Sequence, residues 1–448
     1  KSSNTVPGGI VDGRGGAGGV CDGSGTEHPE ATIAAATTSD TTRLVTVELP
    51  FVGIASTVLR SSSRGCSRET RIGYNQLVVS NQGELVTWRI EQIEPFFDDD
   101  EIDGVTDSIR RGWLTEGPYA ADFLAAIQAD TGARHAVLAP NGTLGLFLAL
   151  LALELPRDSE ILVPAFTFYA SATAAVFAGL RPVFVDVDPE TFNLDIDRLT
   201  PHVTERTKAI MPVHVYGHCA PLDRVAEFAA RHQLKVLEDA AQAYGVAYQG
   251  RHAGTWGDVG VISFFADKTI TMGEGAVVLT DDDALYEKLR LLRNQGRLSS
   301  GTFIHDALGM NFRVTDMQCA VGRAQLRKLP DIVARKQANH ARYVANLTGV
   351  EGVRWMQVQE GSSHVPFRFA MLSERQAEVV DALEAERIQT RGFFHPLHLQ
   401  PALQTYARGP LPVAERLSRE GICLPVHRGL TSTDVDDMCD IIRKVHSG

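Results

Sequence analysis

The chain has 448 residues, 44% of them hydrophobic and 22% charged. These are the proportions of a folded protein of two or three domains, and they exclude a mostly disordered chain, a collagen-like repeat and a disulfide-dense miniprotein. Lys and Arg total 43 against 55 Asp and Glu, a formal charge of −12, which argues against nucleic-acid backbones as the main partner but leaves room for a local small-anion site.

Residues 1–45 stand apart. Nine of the first 25 residues are Gly, and Thr, Ser and Ala dominate the next 20; such a segment cannot bury enough apolar surface to offset its ordering entropy. Residues 46–90 hold short strand-like runs, and LVVSNQGELVTWRI reads as a hairpin turning at Asn81-Gln82-Gly83. Two readings stay open for 1–90: a real appendage, or a stretch preceding the functional protein. The first residue is Lys rather than Met, so the chain reads as processed, trimmed or incomplete, and no signal peptide is visible.

From about Glu94 the texture changes. DDDEIDGVTDSIRRGW predicts an amphipathic helix with an acidic first turn. Strand-type runs follow (HAVLAP, EILVPAF, PVFVDVD, AIMPVHVYG, KVLEDAA, VGVISFF), separated by helical stretches such as LGLFLALLALEL, ASATAAVFAGL and LDRVAEFAARHQ. That alternation implies a largely parallel α/β sheet covered on both faces, with ligands at the carboxyl ends of its strands. Beyond about Arg335, the helix KQANHARYVANL leads to a strand-like HVPFRFAML and the helices RQAEVVDALEAE and TDVDDMCDIIRKV. The reading divides the chain into a low-complexity extension (1–90), a large α/β domain (91–335) and a smaller α+β domain (336–448).

Several signals carry no chemistry. The longest continuous apolar run, Leu144 to Leu153, is too short to span a bilayer. Six cysteines without a CxxC or a Cys/His cluster read as free thiols of a reducing cytoplasm, and no metal site is expected. The G-x-G-x-x-G match at 13–18 follows no strand and opens no helix. His214 and His218 are four apart, but in a strand running into a Gly turn, where that spacing does not converge on a metal. Asn141-Gly142-Thr143 is a glycosylation sequon without a secretory signal.

Three features fall after strand candidates. Asn141-Gly142-Thr143 opens a helix and is either a phosphate cradle or a plain N-cap. Glu238-Asp239 ends a buried strand, where an acid needs a cation or donors. Lys268 sits five residues after Ser263, in a mostly apolar segment before a Gly-rich turn, and is a candidate for Schiff-base chemistry. An aspartate for a pyridine nitrogen, a lysine 29 residues later and a phosphate cradle point to pyridoxal 5′-phosphate.

Residues 94–445 resemble the DegT/DnrJ/EryC1/StrS sugar aminotransferases of the fold type I pyridoxal-phosphate enzymes, through GWLTEGPY, NGT, VPAFTFYASA, PVFVDVDPETFNLD, PVHVYGH, EDAAQAYG, GDVGVISFFADKTITMGEGAVVLTDD, LRLLRNQG, NFRVTDMQCAVGRAQL and LHLQPAL in order. The resemblance implies a mostly parallel seven-stranded sheet in an α/β/α domain with a smaller α+β domain after it. It implies Lys268 as the Schiff-base and proton-carrying lysine, Asp239 at the pyridine nitrogen, Gln242 near the ring hydroxyl and Phe168 stacked on the ring. Gly142, Thr143 and Ser263 match phosphate contacts. Asn311 matches an asparagine given to the phosphate by the neighbouring subunit, which implies a homodimer with shared active sites. Trp113, Thr115 and Glu116, with Arg391 and His395, match substrate-side loops.

Lys268 argues against the family's dehydratase branch, where a histidine takes its place. Asp267 departs from the neutral residue many relatives carry there; it either raises the lysine's proton affinity or points to solvent. FFADKTITMGEG, LRNQG and HDALGMNFRVTD are most similar to the perosamine-synthase subgroup. The expectation is therefore a cytoplasmic transaminase moving an amino group from L-glutamate to a nucleotide-linked 4-keto-6-deoxy sugar. The alternatives are an aminocyclitol ketone or natural-product carbonyl as acceptor, or a non-catalytic, cofactor-binding regulatory relative.

Overall fold

The computed structural model describes residues 87–297, 301 and 303–448, and five strands within residues 1–86. In the first compact unit, β1 (Ile33–Thr37), β2 (Thr42–Glu48) and β3 (Ala55–Ser61) form an antiparallel sheet in that order, and β4 (Val78–Val79) pairs antiparallel with β5 (Leu85–Val86). The β4–β5 pair is the expected hairpin. Its turn at 81–83 and the glycine motif at 13–18 lie outside the described residues. β1 and β2 fall in a stretch whose composition reads as low in complexity; the apolar residues of IAAAT and LVTV are enough for local strand pairing.

The second unit, Trp88–Gly448, begins with α1 (Asp99–Arg110) and α2 (Pro118–Thr131). α1 starts where expected because Asp98 and Glu101 form a capping box. Lys328 of α7 (Asp316–Leu347) then ties down the acidic first turn, its Nζ 2.6 Å from Asp98 Oδ1 and 2.7 Å from Glu101 Oε1.

The central sheet has seven strands: β6 (His135–Ala139), β7 (Glu160–Pro164), β8 (Arg181–Val185), β9 (Thr207–Ile210), β10 (Lys235–Asp239), β13 (Val259–Ser263) and β14 (Ala276–Thr280). A two-residue pair, β11 (Ala247–Tyr248) and β12 (Arg251–His252), lies outside it. The order is β6-β14-β13-β10-β9-β7-β8, and only β14 is antiparallel to its neighbours. β14 returns antiparallel because residues 264–275, which connect it to β13, contain no crossover helix. The other six strands point the same way, so their carboxyl ends share one edge. β9 is shorter than AIMPVHVYG suggests: past Pro212 only an isolated bridge, Val213 to Asp239, remains, and Tyr216 takes a φ of 52°.

α3 (Gly142–Ala152), α4 (Ala170–Phe177), α5 (Leu222–His232) and α6 (Asp283–Arg293) accompany this sheet. α3 lies very close to it. A Cβ on Gly145 would stand 2.8 Å from Val261 Cγ1 of β13, so a glycine here lets the helix approach. The last part of the chain builds an antiparallel sheet in the order β15 (Val353–Trp355), β16 (Phe369–Ser373), β18 (Gly421–Leu424) and β17 (Arg391–Gly392), with α8 (Gln376–Ala385), α9 (Pro412–Glu420) and α10 (Ser432–Ser447). α7 crosses the position 335/336 without a break, so the sequence-based division falls inside a helix. Among the described residues no helix is long and apolar enough to cross a membrane.

The interior contains histidines that resist charging. His218 is fully buried, and His340, His364 and His427 are half-buried. Burial pulls His218 and His364 down to about 3, and His340 and His427 to about 4. Between the unfolded value of 6.5 and those folded values the unfolded chain binds more protons, so stability falls as pH falls through that window. At pH 5 the cost is about 2 kcal/mol for each of the four. The melting temperature is therefore expected to drop progressively from pH 7.5 to pH 5 in calorimetric scans; a value constant across that range contradicts the assignment.

Candidate active site

The site forms at the shared edge of strand ends. Ala276 of β14 pairs with Ser263 on one side and Ala139 on the other, which brings the start of α3 beside the end of β13. Asn141 caps α3, its Oδ1 accepting from Leu144 N at 3.0 Å. Gly142 and Thr143, at the positive end of the helix, keep their N–H groups free of acceptors within the described residues. A side chain on Gly142 would meet Ser263, with Cβ–Cβ at 3.0 Å and Oγ at 3.2 Å. Asn141 is thus an N-cap, and the two residues after it make a tight pocket of donors with Ser263 Oγ.

Asp239 ends β10 and is 5% exposed. Ser171 Oγ donates to its Oδ2 at 2.7 Å, and Ala241 N to its Oδ1 at 3.2 Å. Burial pushes its carboxyl above the usual range, opposed by the Ser171 bond and by the charge of Lys268. The preceding acid does different work. Glu238 is fully buried and accepts from Gly254 N, Trp256 N and Gly257 N at 2.7, 2.6 and 2.7 Å, with His214 Nε2 at 2.9 Å. Burial alone would raise its carboxyl, but the His214 bond and charge with the N–H donors hold it below the usual range. His214 is committed to this network. His218 Nε2 lies 3.0 Å from Thr191 O, and its Nδ1 accepts from Gln359 N. Among the described residues no group of three or more His, Cys, Asp or Glu is arranged to hold a metal.

Lys268 lies in the loop after β13, its Nζ 4.6 Å from the centroid of the Phe367 ring and 3.5 Å from Asp267 Oδ1. Burial lowers the proton affinity of its ammonium group; Asp267 opposes this and Arg368 adds to it. Asp267 neither points to solvent nor serves Lys268 alone. Arg368, 5% exposed, donates from Nη2 to its Oδ2 at 3.1 Å, and Arg391 Nη1 stands 3.7 Å away. Asp267 is thus accompanied by a buried counter-charge from the segment leading into β16.

The remaining residues divide. Gln242 is buried and its Oε1 accepts from Tyr216 N at 2.8 Å. Phe168, after β7, is 59% exposed. Trp113 is also exposed. Thr115 is held by backbone pairing with Thr315. Glu116 is not free for a substrate: Arg293 grips both its oxygens, Nη1 reaching Oε2 at 3.1 Å. Arg391 and His395 are exposed. Asn311 is exposed as well, and its Oδ1 accepts from Arg313 N within its own loop. Ser171, Phe367 and Arg368 were not singled out from sequence. Ser171 sits within VPAFTFYASA, one helical turn after Phe168, and that spacing was the available signal.

Pyridoxal 5′-phosphate fits the residues present. A buried carboxylate faces the edge where a cationic ring nitrogen would relieve its isolation, and a half-buried lysine stands near enough for each charge to shift the other. A helix start with free N–H groups, closed to any side chain larger than glycine's hydrogen, suits the phosphate.

Comparison with known proteins agrees. The sequence profile of the DegT/DnrJ/EryC1/StrS aminotransferase family matches residues 95–443. The GDP-perosamine synthase of Caulobacter vibrioides is 38% identical over 355 residues, covering 78% of this chain and 96% of that protein. The UDP-N-acetyl-3-dehydro-alpha-D-glucosamine 3-aminotransferase of Acidithiobacillus ferrooxidans is 36% identical over 72% of this chain and 88% of its own. A crystal structure of S. venezuelae DesV in complex with a ketimine intermediate superposes with a TM-score of 0.76 at 33% identity, over 78% of this chain and 95% of DesV. By these matches over most of its length, this chain belongs to the DegT/DnrJ/EryC1/StrS family of pyridoxal-phosphate-dependent aminotransferases.

Proposed function

We propose that the protein moves the amino group of L-glutamate onto the 4-keto carbon of a GDP-linked 4-keto-6-deoxy sugar, as a homodimer in which Asn311 of each copy serves the phosphate site of the other. The observation that carries the acceptor is the 38% identity to the Caulobacter vibrioides GDP-perosamine synthase across 96% of that protein.

Pyridoxal 5′-phosphate, when bound, supplies an electron sink for the electrons of a broken Cα–H bond. Asp239 holds negative charge for the ring nitrogen, and Ser171 fixes the carboxylate's orientation. Lys268 holds and moves the proton at Nζ. Burial disfavours its ammonium form, which favours taking a carbon-bound proton at Nζ and returning it. Gly142 and Thr143 N–H groups and Ser263 Oγ bind phosphate, Phe168 offers a ring face, and Gln242 stands for the ring hydroxyl. The dimer is supported by the segment before Asn311, where Phe303, Ile304, Leu308 and Met310 are exposed; clustered apolar exposure marks an interaction surface.

The test offers L-glutamate with keto sugars linked to GDP, UDP or dTDP, and reads 2-oxoglutarate release and the mass of the amino sugar. Product with the GDP-linked 4-keto-6-deoxy sugar is expected. Product only with a UDP-linked 3-keto sugar, the reading favoured by the 36% identity to the Acidithiobacillus ferrooxidans enzyme, moves the acceptor. Release with a cyclitol ketone or a natural-product aldehyde alone overturns the sugar, and no 2-oxoglutarate with any acceptor overturns the transaminase.

A further inference from the structure

Next to Lys268 lies a small cavity of about 30 Å3, lined in part by Asp267, Lys268, Lys336 and Arg368. It has room for about one water molecule. Lys336 projects from the interior of α7, is 6% exposed, and forms no hydrogen bond or ion pair among the described residues. Charging an amine on a side chain so little exposed, with no acceptor beside it, is costly. Asp267 has the opposite fault. Arg368 and Arg391 attend its Oδ2, whereas Oδ1 is buried without a hydrogen bond, 3.5 Å from Lys268 Nζ. Two lysines therefore share a cavity with one carboxylate oxygen that accepts no hydrogen bond and pairs only with Lys268, at 3.5 Å.

We propose that Lys336 is a positioning residue for the amino transfer: it competes with Lys268 for Asp267 Oδ1, directly or through one water, and so leaves the Lys268 amine free to react. The proposal rests on the function given above. A lysine beside a second cation loses its proton more readily, which is a recognised way to activate an amine. Asp267 alone would act the other way and hold Lys268 as ammonium. The charged groups facing Lys336 are Asp267 and Lys268 from the loop after β13, Arg368 before β16, His427 and Arg428 after β18, and Glu94 before α1. Burial, with Arg368 next, brings Lys336 down to about 7, so it changes charge in the range where the enzyme must work.

The test strips the full-length protein of cofactor and follows capture of free pyridoxal 5′-phosphate from pH 5.5 to 9.5 by visible absorbance, with borohydride trapping and peptide mass mapping to confirm the lysine. Lys336→Met is expected to raise the pH midpoint of capture by about one unit, about tenfold slower capture at pH 7. Lys336→Arg, which keeps the cation, is expected near wild type. Adding Asp267→Asn to Lys336→Met is expected to restore capture, because the carboxylate that holds Lys268 protonated is then gone; a merely structural lysine predicts further loss instead. A midpoint unchanged in Lys336→Met, an arginine variant as slow as the methionine variant, or a double variant no faster than the single one overturns the proposal. Lys336→Gln is read the same way if the methionine variant does not fold. Absence of capture by wild type at every pH overturns the proposed function and this inference with it, whereas capture with an unshifted midpoint overturns this inference alone.

Discussion

Lys268→Ala is expected to lower glutamate-dependent 2-oxoglutarate release by about 10^4-fold or more, with circular dichroism and melting temperature close to wild type. Two functions end together in that variant: the amine that reacts with the cofactor, and the base that moves the substrate's proton. Proton transfer by a placed side chain alone supplies about 10² to 10⁴-fold, and groups that act as a unit lose nearly everything with the first deletion. Folding is spared because, among the described residues, the Lys268 ammonium makes only a 3.5 Å ion pair with Asp267 Oδ1 and lies 4.6 Å from the Phe367 ring, and Asp267 keeps its bond to Arg368. Steady-state release and single-turnover loss of the cofactor's visible band measure the effect. Residual turnover within tenfold of wild type would place the reacting amine elsewhere.

The second large effect falls on stability. Glu238→Ala is expected to lower the melting temperature by about 10 °C or to prevent folding. The alanine leaves the N–H groups of Gly254, Trp256 and Gly257 and the ring of His214 without an acceptor, in an interior with no exposure at residue 238. Each abandoned buried donor costs about 1–3 kcal/mol, so the sum is about 5 kcal/mol or more, and whole domains are stable by only about 5–15 kcal/mol. Glu238→Gln keeps an acceptor oxygen and is expected to lose less. The sign of the pH dependence follows from the lowered carboxyl: Glu238 contributes stability above its unfolded value of 4.5, and that contribution is lost as pH falls through the lower folded value. Calorimetric melts of the two variants check the order; an alanine variant melting within about 2 °C of wild type contradicts the network.

The sequence made these neighbouring acids look alike, and the structure separates them. Asp239 and Glu238 both end β10, but alternation along a strand sends them to opposite faces, one toward Ser171 and Lys268, the other toward the loop before β13. The strand ends, Lys268 and the Gly142-Thr143 step were legible because each is a local pattern: an apolar run stopping at an acid, a lysine in an apolar loop, a cap before a helix. What escaped is non-local. Arg368 meets Asp267 across 101 positions, and Lys336 reaches the same cavity from a helix whose own pattern gives no reason to notice it. The antiparallel β14 was hidden for a related reason, since AVVLT shows a buried strand but not its direction. Glu116 lies in the expected substrate-side loop, yet Arg293, 177 positions away, already holds it. Resemblance supplied residue roles and could not reveal that pair, because it transfers positions rather than contacts.

The most direct measurement is borohydride reduction of the protein loaded with pyridoxal 5′-phosphate, followed by peptide mass mapping. One pyridoxyl group per chain on Lys268, absent in Lys268→Ala, is the result predicted. A pyridoxyl group on another lysine, or none on any, would contradict the assignment of Lys268 and with it the mechanism built around Asp239.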